Sequence, residues 1–271
     1  MTENLFHRLQ AALASPDIDQ KPLLATRIFD DWRANKFAAV DAVADVAALE
    51  VPLVHGLPAR PEIVFGSKVP RRSPATPEGR AALLHAVAHI EYAAIDLALD
   101  HAFRFRRQPR DYYADWLRVA ADEARHFGLL RGYLQTLGYD YGDFPAHDSL
   151  WQMAVKTKDD VLSRMAIVPR LMEARGLDAT PPIRAKLLQV GDHEAVRILD
   201  IILNDEITHV ALGDKWFRYF CVDKEVDPET KYRELIVRYK APWPALPMNE
   251  AARRSAGFSD GELQRLAQRI P

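Results

Sequence analysis

Cysteine is nearly absent from this chain: Cys221 stands alone among 271 residues, so neither an internal disulfide, nor a thiolate metal cage, nor a Cys-x-x-Cys redox pair is available. That absence points to a reducing cytoplasm. An excess of either charge is missing too. Thirty-six Lys and Arg against 38 Asp and Glu leave a formal charge of −2, which disfavours a non-specific nucleic-acid binder. No stretch approaches the roughly 18 uninterrupted apolar residues of a membrane span, and the first eight residues lack the charged-then-apolar pattern of a secretory signal. Alternating, strand-like runs and low-complexity tracts are also lacking. The expectation is a soluble, cytoplasmic, all-α protein with no membrane partner.

What is present is helical periodicity in long Ala, Leu, Arg and Glu-rich stretches, with proline and glycine gathered at the ends and in short breaks. One helix runs from Thr76 to about Arg106, with Pro77 in its first turn, and a second from Asp111, read as its N-cap, to Leu137, with Gly138 as its stop. A third pattern extends to Arg175 and ends at Gly176, with Pro169 distorting it one turn before Glu173. Pro181, Pro182 and Gly191 then leave room for one short helix, before a long one from Asp192 to Val222. Residues 1–75 read as an arm packed on a bundle, with extended pieces at Val51-Pro52 and at 69–72. Residues 76–222 form the bundle, and residues 223–271 are a helical extension with helices near Glu229 to Tyr239 and Asp260 to Arg269.

The informative feature is a repeat. Asp122-Glu123-Ala124-Arg125-His126 and Asp205-Glu206-Ile207-Thr208-His209 are two copies of Asp-Glu-x-x-His within apolar helices. Glu and His three residues apart lie on one side of a helix, one turn from each other, so both can touch one metal ion. Glu91 precedes Glu123 by 32 residues and Glu173 precedes Glu206 by 33. In an antiparallel pair, residues equidistant from the turn lie level, and the midpoint of 91 and 123 is residue 107, in the Arg107-Gln108-Pro109 break. Glu91 and Glu123 should face each other. The second midpoint falls near Gln189-Val190, where level placement depends on how the broken segment folds back. Reach constrains the connection. Helices rising ~1.5 Å per residue would need a return of ~57 Å if the third began at Ser149, whereas 11 loop residues span ~36 Å. A break around Lys156 to Asp159 resolves this, with the third bundle helix starting at Asp159 or Asp160.

The order Glu91, Glu123/His126, Glu173, Glu206/His209 resembles the ferritin-like di-iron carboxylate superfamily. The stretches at 89–96 and 205–213 look like an uncharacterised bacterial ferritin-like family, one of the domain-of-unknown-function groups. The resemblance implies a ferritin-like four-helix bundle with a long crossover, holding two metal ions. One ion would take Glu91 and His126, the other Glu206 with Glu173 or His209, and Glu123 and Glu206 would bridge. It also implies that Asp122 and Asp205 accept imidazole N–H bonds, Asp122 from His209 and Asp205 from His126. Four carboxylates and two imidazoles suit two Fe ions, or Mn, or a mixed pair, better than a structural zinc.

Three functions compete: an oxidoreductase activating O2 or peroxide on a small-molecule substrate with an electron donor; an iron-handling or peroxide-detoxifying protein; and a metal-bound scaffold without catalysis. The long arms suit a substrate pocket better than a storage shell, Leu130 stands where the small subunit of ribonucleotide reductase carries a radical Tyr, and no Cys pair supports a rubrerythrin. A homodimer is compatible with this reading. Arg170, one turn before Glu173, reads as a surface salt bridge ahead of a bond to a ligand carboxylate or to an anionic substrate, and Tyr92 as pointing about 100° away from Glu91. Ala88, Ala94, Ile95 and Ala98 pack beside Glu91, and His85, His89, His101, His147 and His193 read as structural or surface residues. The basic run 104–110 followed by Tyr112-Tyr113 reads as a solvated helix end rather than an RNA contact.

Overall fold

A computed structural model describes residues 4–37, 56–70 and 72–269. The expected extended piece at Val51-Pro52, like Arg71, lies outside the described residues. Among the described residues there is no strand, and the chain is all-α, with an isolated bridge between Ile63 and Ala146. It forms two compact units, Met1–Asp148 and Ser149–Pro271, divided at the end of the 138–148 loop.

The first unit contains α1 (Leu5–Ala14), α2 (Gln20–Arg33), α3 (Pro77–Arg104) and α4 (Arg110–Thr136). Thr76 opens α3 by accepting the Gly79 N–H at 3.1 Å, with Pro77 supplying a fixed φ where no intrahelical donor is needed. By length and composition α3 is apolar enough to cross a membrane, yet every residue from 91 to 103 is buried, as expected for a helix that is hydrophobic on all sides. Protein surrounds it instead of lipid. Asp111 does not cap α4; Pro109 occupies that position and Asp111 falls in the first turn, where its charge faces the positive end of the helix dipole. Gly138 ends α4 with φ +82°, a left-handed conformation that lets the Tyr139 N–H reach back to the Leu134 carbonyl at 3.1 Å.

Within the first unit, α1 and α2 pack against α3 and α4. Phe6 meets Phe103 and Tyr113, and Trp32 meets Tyr113. Tyr112 and Tyr113 are therefore core residues, while Arg104 is clasped by Asp100 and Arg110 lies over Trp32. Deeper in the unit, the fully buried Lys21 of α2 donates from Nζ to Asp96 Oδ2 at 2.7 Å and to the Gly56 carbonyl at 2.8 Å.

His85, also in α3, is buried against Tyr141 and Phe144, and its Nε2 accepts the Gly142 N–H at 2.9 Å. Burial pushes the imidazole down to about 4, against the opposing pull of Asp143 and Asp140. The folded state thus binds this proton less readily than the unfolded chain, so stability is full above the unfolded value near 6.5 and is lost as pH falls towards 4. We expect a loss of about 3 kcal/mol across that window. Urea unfolding at pH 7 and pH 4.5 should show it, and His85→Gln, which keeps an acceptor for Gly142, should flatten the dependence. An unchanged pH slope in the variant would assign the acid sensitivity elsewhere.

The second unit contains α5 (Ser149–Lys156), α6 (Val161–Ile167), a π-helical segment (Val168–Glu173), α7 (Ala174–Gln189), α8 (His193–Asp223), α9 (Pro228–Arg238), α10 (Glu250–Ser255) and α11 (Asp260–Gln268). The break after Lys156 falls where the reach argument puts it, and Asp160 caps α6 by accepting the Ser163 N–H at 3.0 Å. The distortion at Pro169 takes the form of the π-helical segment: proline offers no N–H, and the chain widens around the gap.

The reading of a helix ending at Gly176, followed by one short helix, is corrected. α7 runs on through Gly176, Pro181 and Pro182 to Gln189. At Pro181 another group satisfies the backbone left open: the Leu177 carbonyl, which Pro181 cannot serve, accepts from Asn249 Nδ2 at 3.2 Å. The turn into α8 therefore lies at Val190–Asp192, with Gly191 at φ +75°.

Candidate metal centre

In the first unit the short α3–α4 connection makes a helical hairpin, and Glu91 and Glu123 fall level within it. His126 follows Glu123 by one turn. Its Nδ1 lies 3.1 Å from Glu91 Oε2 and 3.4 Å from Glu123 Oε2, and one ligand atom of each residue lies within 4.8 Å of those of the other two. Glu91 is 4% exposed, Glu123 1% and His126 0%. Burial raises the Glu91 carboxyl, and the like charge of Glu123 raises it further. Burial alone would lower His126, but its hydrogen bonds to Glu123 and Glu91 hold the imidazole well up. Two carboxylates that repel each other in a dry site, with an imidazole aimed between them, are a ligand set that a divalent cation would neutralise. This buried acidic and imidazole cluster can hold a metal ion.

The second unit carries the other copy of the pattern in α8. His209 Nδ1 lies 3.3 Å from Glu206 Oε1, close to the 3.4 Å separating His126 from Glu123, so the two copies share one local geometry. His209 is buried, and the Glu206 side chain is 12% exposed. Glu173 is the last residue of the π-helical segment, 16 residues before the end of α7, while Glu206 lies 13 residues into α8, so the hairpin turn at Val190–Asp192 puts the two about one turn apart in register. One turn beyond His209, Gly213 admits the distorted segment: a Cβ there would lie 2.7 Å from Pro169 Cβ and 3.1 Å from the Arg170 nitrogen.

Asp122 is partly exposed beside Arg118 at 3.6 Å and Arg125 at 3.8 Å on its own helix, and Asp205 is likewise only partly buried. Tyr92 packs against Phe127 and Tyr141, and its hydroxyl is buried without a hydrogen-bond partner. His89 Nδ1 pairs with the Tyr141 hydroxyl at 2.9 Å, consistent with a structural role.

The surface reading of Arg170 is overturned. Its guanidinium is fully buried against the rings of Tyr232 and Phe258, with Nε 2.6 Å from Asp214 Oδ1 and Nη2 2.5 Å from Glu262 Oε1. Sequence reasoning missed this network and the Lys21–Asp96 pair. Both had a signal: Lys21 lies in line with Ala25, Ile28 and Trp32 on the buried stripe of α2, and Arg170 lies within the unbroken buried run 162–172.

Residues 14–264 match the family described as "Protein of unknown function (DUF455)". An uncharacterized protein of Haemophilus influenzae is 46% identical over 217 residues, which cover 78% of this chain and 75% of that protein. No solved structure matches. The chain belongs to the DUF455 family.

Proposed function

We propose that this member of the family is a cytoplasmic, ferritin-like protein that binds two Fe ions and acts as a di-iron oxidoreductase. Glu91, Glu123 and His126 serve from the first half of the chain, and Glu173, Glu206 and His209 from the second. The observation that carries the reading is the convergence of Glu91, Glu123 and His126 within one buried cluster, with the Glu206–His209 pair repeating its geometry. Four glutamates balance the charge of two divalent ions, and the oxygen-rich set favours Fe or Mn over a structural zinc.

Bound iron would supply the reduction of O2 or peroxide. The chain's own groups hold the ions at fixed places along stiff helices and keep the carboxylates out of bulk water. Asp122 and Asp205 are proposed to steady the imidazoles, and the substrate is a small molecule served by a separate electron donor.

The test is O2 uptake after anaerobic Fe(II) loading. Consumption that disappears in Glu123→Ala/Glu206→Ala supports the oxidoreductase. Uptake coupled only to release of ferric iron, or to peroxide loss without any organic product, would favour an iron-handling or detoxifying protein. Bound iron without O2 uptake would leave a scaffold.

A further inference from the structure

We propose that Arg170, held by Glu262 of the C-terminal helix α11, is a positioning residue that fixes the direction of the Glu173 carboxylate and so sets the affinity of the second-half metal ion. The inference rests on the reading of Glu173 as a ligand. A π-helical turn is rare and persists only where surrounding groups hold it. Here the grips lie on both sides of Glu173. Before it, Arg170 bonds Asp214 and Glu262, its guanidinium lies over the rings of Tyr232 at 4.0 Å and Phe258 at 4.4 Å, and Gly213 lets the turn approach α8. After it, Arg253 reaches the Ala174 carbonyl at 3.3 Å and Asp178 Oδ2 at 2.6 Å, and Asn249 satisfies the carbonyl of Leu177. Glu262 is itself fixed, accepting from Arg218 at 3.1 Å and from the Ser259 N–H at 2.9 Å. Residues 249–262 thus clamp the turns that flank Glu173. A ligand carboxylate whose backbone is held this way loses little freedom on binding metal, whereas a loosened turn must be ordered by the ion.

The experiment is calorimetric titration of the full chain with Mn(II). Glu262→Gln keeps the size of the side chain and the acceptor for Ser259 but removes the charge that holds Arg170. It should weaken one of two Mn(II) sites by roughly 10- to 100-fold and leave the other unchanged. Glu173→Ala should abolish that same site. Leu235→Ala, a buried truncation in α9, should lower thermal stability without changing either affinity. If Glu262→Gln does not fold, Arg218→Gln, at a side chain 37% exposed, should weaken the same site in the same direction. Wild-type affinities in Glu262→Gln, or an equal loss in Leu235→Ala, would overturn the positioning role alone. Two intact sites in Glu173→Ala, or no Mn(II) bound by the wild type, would overturn the parent reading and this inference with it.

Discussion

Arg170→Met should destabilise the second unit by about 3 kcal/mol, because it takes the buried cation from between Asp214 and Glu262 and leaves them only the partly exposed Arg218. Burial would raise the Glu262 carboxyl, but Arg170 and the Ser259 N–H hold it below its usual range, so the carboxylate remains charged in the wild type. Removing Arg170 leaves both carboxylates to Arg218 alone, a single and partly exposed cation for two buried charges. For a chain of this length, the midpoint of thermal unfolding should fall by roughly 10 °C. Differential scanning calorimetry checks it. A change below about 1 kcal/mol would mean that Asp214 and Glu262 find water or other partners, and that the network contributes little.

Lys21→Met should be comparably harmful in the first unit. Lys21 and Asp96 are both fully buried, and the ammonium also donates to the Gly56 carbonyl and lies over the face of Tyr92. Loss of the lysine removes the counter-charge of a carboxylate in the core, at a cost of about 3–5 kcal/mol. The double change Lys21→Met/Asp96→Leu should recover most of that loss, since replacing both charges with apolar groups removes the desolvation penalty as well as the attraction. Denaturant midpoints of the wild type, both single variants and the double variant form the test. Simple addition of the two single losses would show that the residues do not act as a pair.

The chemistry of the candidate site was legible because helix geometry links spacing to direction. A spacing of three residues from Glu123 to His126, and a turn near the midpoint of Glu91 and Glu123, are enough to bring the three together. The break after Lys156 and the distortion at Pro169 were legible for similar reasons, one from the reach of the chain and the other from a missing N–H. The passage of α7 through Pro181 and Pro182 was not. Local propensity stops a helix there, and what overrides it is Asn249, a residue 68 positions beyond Pro181 that supplies the lost donor. Arg170 was misread for a related reason. A lone arginine looks solvated until its two carboxylates, 44 and 92 residues away, are seen to close around it. Patterns local to one helix or one hairpin were readable; satisfaction of backbone and charge across long separations was not.

The claim on which the rest depends is that the two Glu…Glu-x-x-His halves bind two metal ions. Elemental analysis of protein expressed with both iron and manganese available, beside the Glu123→Ala/Glu206→Ala variant, tests it most directly. The result expected is about two Fe or Mn per chain in the wild type, lost in the variant while the helical circular dichroism is retained. Protein that carries no metal, or metal whose amount the double substitution does not change, would contradict the claim.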